Sequence, residues 1–83
     1  MKLVFKLYAG LTEYLPDDAE NHAAVIEIDE HDSVPEVIHR FNVPEDEVHL
    51  VLLNGVYLQP EERTSIQFSD GDTLAIWPPV AGG

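Results

Sequence analysis

The carboxyl end of the chain has a composition suited to chemistry on a chain terminus. Pro78 and Pro79 have fixed φ angles and no N–H group, so they cannot continue the pairing of a central sheet strand. We expect them to leave the domain as an extended, polyproline-like segment. Gly82 and Gly83 lack a Cβ atom and can pass through a channel too narrow for other residues. The sequence therefore predicts a thin arm that offers the α-carboxylate of Gly83 to another protein's active site.

The alternative is that the glycine pair has no role, because chain termini often fray. The context disfavours this interpretation. A strand-like run from Thr73 to Trp77 precedes the two prolines, and only Val80 and Ala81 separate the prolines from the glycines.

Elsewhere in the chain, no group of residues has the spacing of a catalytic or metal site. The histidines come from four different predicted elements and lack ligand spacing: His22, His31, His39 and His49. The acidic pairs lie in predicted loops, and the segment from Asp70 to Asp72 lacks the remaining ligands of a calcium loop. A nucleophile elbow and a glycine-rich phosphate loop are both missing. We expect no metal, no bound cofactor and no enzymatic activity of the chain itself.

Composition limits the partners. The 83 residues suffice for one domain, and the hydrophobic fraction of 45% is typical of a globular protein. Sixteen acidic residues against four Lys and Arg give a net charge of −12, which excludes a basic patch for nucleic acid and disfavours anionic membranes. This charge either forms a solvated surface or attracts a basic face of a partner. The absence of cysteine excludes disulfides and a Cys nucleophile.

The N-terminal segment is interrupted by Lys6 and is too short for a signal-peptide core. No apolar stretch is long enough to cross a bilayer. We therefore expect a cytoplasmic protein.

The first half of the chain predicts two strands and a helix. Lys2 to Tyr8 alternates apolar and polar residues, and Ala23 to Asp29 forms a second strand. Leu11, Tyr14 and Leu15 are expected to fix the connection between these strands to the core. Ser33 and Glu36 have the spacing of a capping box, with Pro35 in the first turn. The apolar face of the helix is then formed by Val34, Val37, Ile38 and Phe41.

The second half predicts further strands. The run from Glu47 to Leu53 indicates a central strand that is covered on most of its surface. Asn54 and Gly55 are typical of a type I′ hairpin turn, and Ile66 and Phe68 are expected to plug the core. Thr73 to Trp77 forms the last strand, which the helix crossover allows to lie beside the first. The prediction is an α+β fold: a mixed sheet of four to five strands with one main helix packed on one face.

This layout and the chain ending together resemble the MoaD/ThiS family of ubiquitin-like sulfur carriers. The resemblance covers essentially the whole chain, and its most specific part is the segment from Trp77 to Gly83, which is similar to the ending of the MoaD branch, the small subunit of molybdopterin synthase. The resemblance implies a β-grasp (ubiquitin-like) domain over residues 1–78 and a flexible C-terminal diglycine tail over residues 79–83.

In that family an E1-like adenylating enzyme uses ATP to adenylate the terminal carboxylate, here that of Gly83, and sulfur then replaces AMP to give a thiocarboxylate. MoaD proteins pass this sulfur on in molybdenum cofactor biosynthesis, docked on the molybdopterin synthase large subunit. The resemblance assigns the remaining tail residues to partner binding: Pro78, Pro79, Val80, Ala81 and Gly82. It also implies docking on the exposed sheet face, for which Tyr8 and Val51 are candidates.

Three alternatives remain open from the sequence. The chain could carry sulfur for another acceptor, such as thiamine or tRNA. It could instead be a protein modifier joined to lysines, or a β-grasp binding module whose tail is incidental.

Overall fold

The computed structural model describes residues 1–79. Within them lie five strands, one α-helix and three short 3-10 helices. The elements in chain order are β1 (Lys2–Leu7), a 3-10 helix (Ala9–Tyr14), β2 (Ala23–Glu27), α1 (Val34–Arg40), a 3-10 helix (Glu45–Glu47), β3 (Leu50–Leu53), β4 (Val56–Tyr57), a 3-10 helix (Pro60–Glu62) and β5 (Asp72–Trp77).

The strands form one mixed sheet in the order β2-β1-β5-β3-β4. Strands β1 and β5 pair in parallel at the centre, and each also has an antiparallel neighbour. The first and last strands therefore lie side by side, as the sequence predicts, and α1 lies in the crossover between the two halves. This topology is the β-grasp, ubiquitin-like fold.

The core lies between one face of the sheet and α1. The alternating residues of β1, Leu3, Phe5 and Leu7, are completely buried. Helix α1 contributes the buried Val37, and the ring of Phe41 packs against that of Phe5 with centroids 5.1 Å apart. The helix has only seven residues, so its stability depends on this contact with the sheet.

The start of α1 has the predicted cap. The carboxylate of Glu36 accepts hydrogen bonds from the Ser33 N–H at 3.1 Å and from the Ser33 hydroxyl at 2.9 Å. The hairpin turn after β3 is a second feature that is set by neighbouring residues. The turn after β3 has positive φ at both central residues, 51° at Asn54 and 82° at Gly55, which confirms the type I′ hairpin.

The irregular connections are attached to the core as the sequence predicts. Leu11 and Phe68 are buried, and Tyr14, Leu15 and Ile66 are partly buried against the same cluster. Each connection thus adds apolar contacts to a small core.

The prediction for the run from Glu47 to Leu53 is partly wrong. The strand β3 covers only Leu50–Leu53. The acidic residues that precede it belong to a 3-10 helix, which starts after Pro44. Of the four residues in β3, only Val51 is buried. Within residues 1–79 no layer covers the outer face of this sheet, so the continuous apolar run buries one side only.

The start of β5 is held by side-chain hydrogen bonds. The Thr73 N–H donates to the Asn54 side-chain oxygen at 2.8 Å, and the Asn54 amide donates to the Asp72 carboxylate at 2.9 Å. The Asp70 carboxylate accepts from the Lys2 N–H at 2.6 Å. We call Asn54, Asp70 and Asp72 the polar clamp. It fixes the register of β5 against β1 and β3 before the strand enters the core.

Candidate functional site

The far end of β5 is where the chain leaves the sheet. The Trp77 carbonyl accepts a hydrogen bond from the His49 N–H at 3.0 Å, which is the last ladder bond on that side. On the other side the Ile76 carbonyl accepts from the Tyr8 N–H at 3.2 Å. Pro78 follows with no N–H to donate, so the pairing of β5 ends there.

Two aromatic rings cover this exit. The Tyr8 and Trp77 rings are stacked with centroids 4.3 Å apart and planes only 1° from parallel. Both side chains are half-buried. The His22 ring also stacks on Tyr8. We call Tyr8, His22, Trp77, Pro78 and Pro79 the tail root.

The structure describes two of the six site residues predicted from the sequence. Pro78 is half-buried at the end of the sheet, and Pro79 is exposed. Their assignment to partner binding stays a prediction. The predictions for Val80, Ala81, Gly82 and Gly83 lie outside the described residues.

The outer face of the sheet corrects the predicted docking residues. Val51 is completely buried and points to the core, so it cannot contact a partner. Its neighbours Leu50 and Leu52 face outward instead, because side chains alternate along a strand. They lie opposite Trp77 and Ala75 of β5, and the surface formed is apolar. Sequence reasoning missed this orientation because all four residues of β3 are apolar.

The described residues leave few cations free on this acidic protein. Lys2 forms an ion pair with the Glu27 carboxylate, which raises the pKa of Lys2 and lowers the pKa of Glu27. Arg40 is 2.9 Å from the Asp32 carboxylate, and Arg63 donates to the His49 carbonyl at 3.3 Å. Two of the four Lys and Arg residues are thus paired with carboxylates, and the surface potential stays negative.

Asp32 is the most shielded carboxylate of the described segment. It is 8% exposed and accepts the Asp29 N–H at 2.8 Å. This backbone hydrogen bond, followed by the contact with Arg40, lowers the pKa of Asp32 below its ordinary value. The arrangement fixes the loop before α1 and lies away from the tail root, so it has a structural role.

Three of the four histidines make separate contacts. His22 stacks on Tyr8, His31 lies 3.6 Å from the Glu30 carboxylate, and His49 belongs to the backbone contact beside Trp77. Over residues 1–79, no three His, Asp or Glu side chains form a group that could hold a metal ion.

A groove of about 610 Å³ lies on the helix side of the molecule. Its walls include Ile38, His39, Val43, Val48 and Arg63. It shares no residue with the tail root, and no arrangement of catalytic groups lines it.

Within residues 1–79, no helix is long and apolar enough to span a membrane.

Comparisons with solved structures agree with the fold. SAMP1 from Haloferax volcanii is 22% identical with a TM-score of 0.68, and the alignment covers 100% of both chains. The thiamine biosynthesis protein ThiS from Geobacter metallireducens gives 22% and 0.66, again with 100% of both chains covered. In a complex of subunits 1 and 2 of the molybdopterin-converting factor from Helicobacter pylori, the matching chain is 17% identical with a TM-score of 0.61 and full coverage of both. These likenesses establish a common fold.

No curated protein matches the chain significantly. A protein-family model does: the model described as Mut7-C ubiquitin matches residues 1–82. The match spans the sheet, the helix, the tail root and most of the residues after it. The chain therefore belongs to the Mut7-C ubiquitin family.

Proposed function

We propose that the chain is a ubiquitin-like sulfur carrier that acts through the carboxyl group of Gly83. One observation carries this proposal. The central strand β5 ends at Trp77 and is followed at once by Pro78 and Pro79, and then by four residues that end in two glycines. The β-grasp fold, which the chain has in common with a ThiS protein and a molybdopterin-converting factor subunit, supports the same role.

The chemistry requires two steps, both catalysed by partners. A carboxylate is a poor electrophile, so it must first be activated. A Gly83 carboxylate oxygen attacks the α-phosphorus of ATP, and pyrophosphate leaves. The sulfur of hydrosulfide, or of a donor at the same oxidation state, then attacks the acyl carbon. AMP leaves, and the proton of the donor is released to solvent. The product is a C-terminal thiocarboxylate. ATP is bound by an E1-like adenylating enzyme, and the chain itself needs no cofactor.

The residues of the tail fit this use. Gly82 and Gly83 offer the least bulk to an active-site channel, and Pro78 and Pro79 reduce the conformational entropy that is lost when the tail is threaded. The domain would be residues 1–78 and the reactive tail residues 79–83. In this scheme the chain is a carrier and a subunit, and the enzymes are its partners.

The acceptor that we propose is the precursor of the molybdenum cofactor, with the molybdopterin synthase large subunit as partner. The support is the similarity of the ending from Trp77 to Gly83 to that of the MoaD branch, together with the fold match to a converting-factor subunit that is found in complex with a second subunit. Sulfur transfer to thiamine or tRNA, and conjugation to lysines, are the competing uses of the same activated end.

The outer sheet face is the proposed docking surface. Leu50, Leu52 and the half-buried Trp77 form an uncovered apolar surface that leads directly to the tail. Tyr57 extends it onto the edge strand opposite Leu52 and is 42% exposed. A partner with an apolar patch and a basic rim would complement both this surface and the net charge of −12.

The proposal is tested by reconstitution. The chain is incubated with an E1-like adenylating enzyme that is active on a known carrier, ATP and sulfide, and its intact mass is measured. We expect the exchange of one oxygen for sulfur, located on Gly83 by fragmentation. A variant that lacks Gly83 is the matched control and should not change. In a separate assay of the thiocarboxylated chain with the pterin precursor, omission of the large synthase subunit should abolish sulfur transfer.

Other results would decide between the alternatives. A product that transfers sulfur to a thiamine precursor or to tRNA, but not to the pterin, would replace the proposed acceptor. Adducts of higher mass on other proteins would identify a modifier. An unchanged carboxylate, with the known carrier converted in parallel, would reject the sulfur-carrier role.

A further inference from the structure

The tail root contains a third ring. His22 stacks on the face of Tyr8 with ring centroids 5.3 Å apart and an interplanar angle of 21°, while Trp77 stacks on Tyr8 at 4.3 Å and 1°. Tyr8 is therefore the common partner of both rings. These three residues come from segments far apart in sequence, so the stack exists only in the folded chain.

The backbone places each ring. In the parallel pairing of β1 and β5, Leu7 lies opposite Ile76, so Tyr8 and Trp77 continue the two central strands together. The Leu7 N–H donates to the His22 carbonyl at 3.0 Å, which fixes the loop before β2 beside the same strand end. His22 has a positive φ of 66°, a conformation that costs energy in a residue with a side chain and must be maintained by such contacts.

The orientation of Trp77 has consequences for the residues after it. Trp77 makes the last ladder bond of β5 to β3, and Pro78 cannot add another. The prolines have fixed φ angles, so the direction in which Pro79 leaves is determined largely by the orientation of Trp77. On the side of β1, the Tyr8 N–H bond to the Ile76 carbonyl holds the backbone before Trp77, and the aromatic stack restrains the Trp77 side chain.

We propose that Tyr8 is a positioning residue for the tail, with His22 as its support. Its ring holds Trp77 in one orientation, and Pro78 and Pro79 carry this orientation outward, so that the chain leaves the domain at Pro79 in a restricted direction. This inference rests on the proposed function only in that the tail enters a partner's active site. Tyr8 then acts through Trp77 and not as a docking residue in direct contact with the partner.

The first experiment needs no partner. The chain has no cysteine, so Ala81→Cys provides a unique site for a nitroxide label. Paramagnetic broadening of the amide signals of the domain then reports the directions that the tail samples. We expect broadening on one side of the sheet end in the parent protein and on both faces in Tyr8→Ala. Tyr8→Phe keeps the ring and should retain the parent pattern.

Two further variants keep this test decisive. Tyr57→Ala removes a more exposed ring from the edge strand and should leave the pattern unchanged. If Tyr8→Ala does not fold, Tyr8→Leu keeps apolar bulk without a flat ring face, and it should broaden the distribution in the same way. An identical pattern in the parent and in the folded Tyr8 variants, or an equal effect of Tyr57→Ala, would overturn the proposal.

The second experiment separates positioning from docking. With an enzyme that adenylates the chain, Tyr8→Ala should raise KM about two- to tenfold, the factor expected for the loss of one aromatic pair, with kcat nearly unchanged. In a chain that ends at Pro79, the same substitution should weaken binding to the enzyme less than it raises KM in the full chain, since only the contact through Trp77 is then affected. An equal loss of affinity in both chain lengths would make Tyr8 a docking residue and contradict the proposal. Failure of the sulfur-carrier function would remove only this second experiment, since the label experiment uses the free chain.

Discussion

The two ends of β5 are held by different kinds of side-chain contact. The start of the strand is fixed by the polar clamp, in which Asn54 joins the Thr73 N–H to the Asp72 carboxylate through bonds of 2.8 and 2.9 Å. The other end is fixed by the Trp77 ring lying on Tyr8, after which Pro78 removes the next ladder donor. Polar side chains secure the end that serves folding, and aromatic rings add to the last ladder bonds at the end that leads to the tail. We therefore expect changes at the clamp to alter stability, and changes beyond Trp77 to alter function.

The largest expected effect lies at the tail end. Deletion of Gly82 and Gly83 should abolish thiocarboxylate formation, because the reacting carboxyl group is moved back to a bulkier residue on a shorter arm. The free energy of unfolding should change by less than about 0.5 kcal/mol, as for a surface change without lost contacts. Mass spectrometry and urea denaturation measure the two quantities. Substantial loss of stability would show that the last residues pack on the domain. It would contradict the proposal that the tail serves function and the clamp serves stability.

The next effect lies at the clamp. Asn54→Ala removes two hydrogen bonds and, at a φ of 51°, replaces asparagine by a residue that tolerates the left-handed conformation less well. We expect a loss of about 2–4 kcal/mol of unfolding free energy, from about 1 kcal/mol for each bond and the remainder from strain. Asn54→Gly keeps the turn and loses only the bonds, so it should cost about half as much. Adenylation of the folded fraction should be unchanged, and a large fall in kcat/KM of either variant would contradict the separation of the two ends.

A smaller and pH-dependent effect on stability is expected at Asp32, whose carboxylate binds the Asp29 N–H and Arg40 in the loop before α1. Its pKa is lowered by the Asp29 N–H and by Arg40, so its contribution is present above the pKa of the unfolded chain and is lost as the pH falls through the folded value. Asp32→Asn should therefore cost about 1–2 kcal/mol at pH 7. The difference from the parent protein should shrink below about pH 4.

Asp18→Asn is the matched control for this pH dependence, because it removes one negative charge from an exposed turn. It should have little effect on stability at either pH. A difference between Asp32→Asn and the parent that stays constant from pH 7 to pH 3 would contradict the assignment. Neither variant should alter the formation of the thiocarboxylate at neutral pH.

The local elements could be predicted from the sequence because each has a short-range signal. The alternation of Leu3, Phe5 and Leu7 gave the buried face of β1. Ser33 with Glu36 located the start of α1, and Asn54 with Gly55 located the hairpin with its positive φ angles. In each case the physical cause lies within a few residues of its effect.

The parts that could not be predicted depend on contacts between distant segments. The four apolar residues of β3 give no period-two signal, so the direction of Val51 was decided only by the packing of the whole sheet. The stack of Tyr8 on Trp77 requires the parallel register of β1 and β5, which no local pattern sets. Its one sequence signal is that both rings follow the apolar runs of strands expected to be neighbours.

The candidate site was predicted differently from the fold. Pro78 and Pro79 could be interpreted from their backbone chemistry, and the exposure of Pro79 agrees with an outward path. The reaction assigned to Gly83 depends on a resemblance, since a carboxylate is unreactive without a partner. Its chemistry therefore stays a prediction until the partner is supplied.

The most direct test of the account is the intact mass of the protein isolated from its own cells under conditions that preserve thiocarboxylates. We predict a polypeptide that ends at Gly83, part of which carries sulfur in place of one oxygen at that residue, with the sulfur lost after alkaline hydrolysis. A polypeptide that continues beyond Gly83, or one that ends there with a carboxylate only while a known carrier from the same cells carries sulfur, would contradict the central claim.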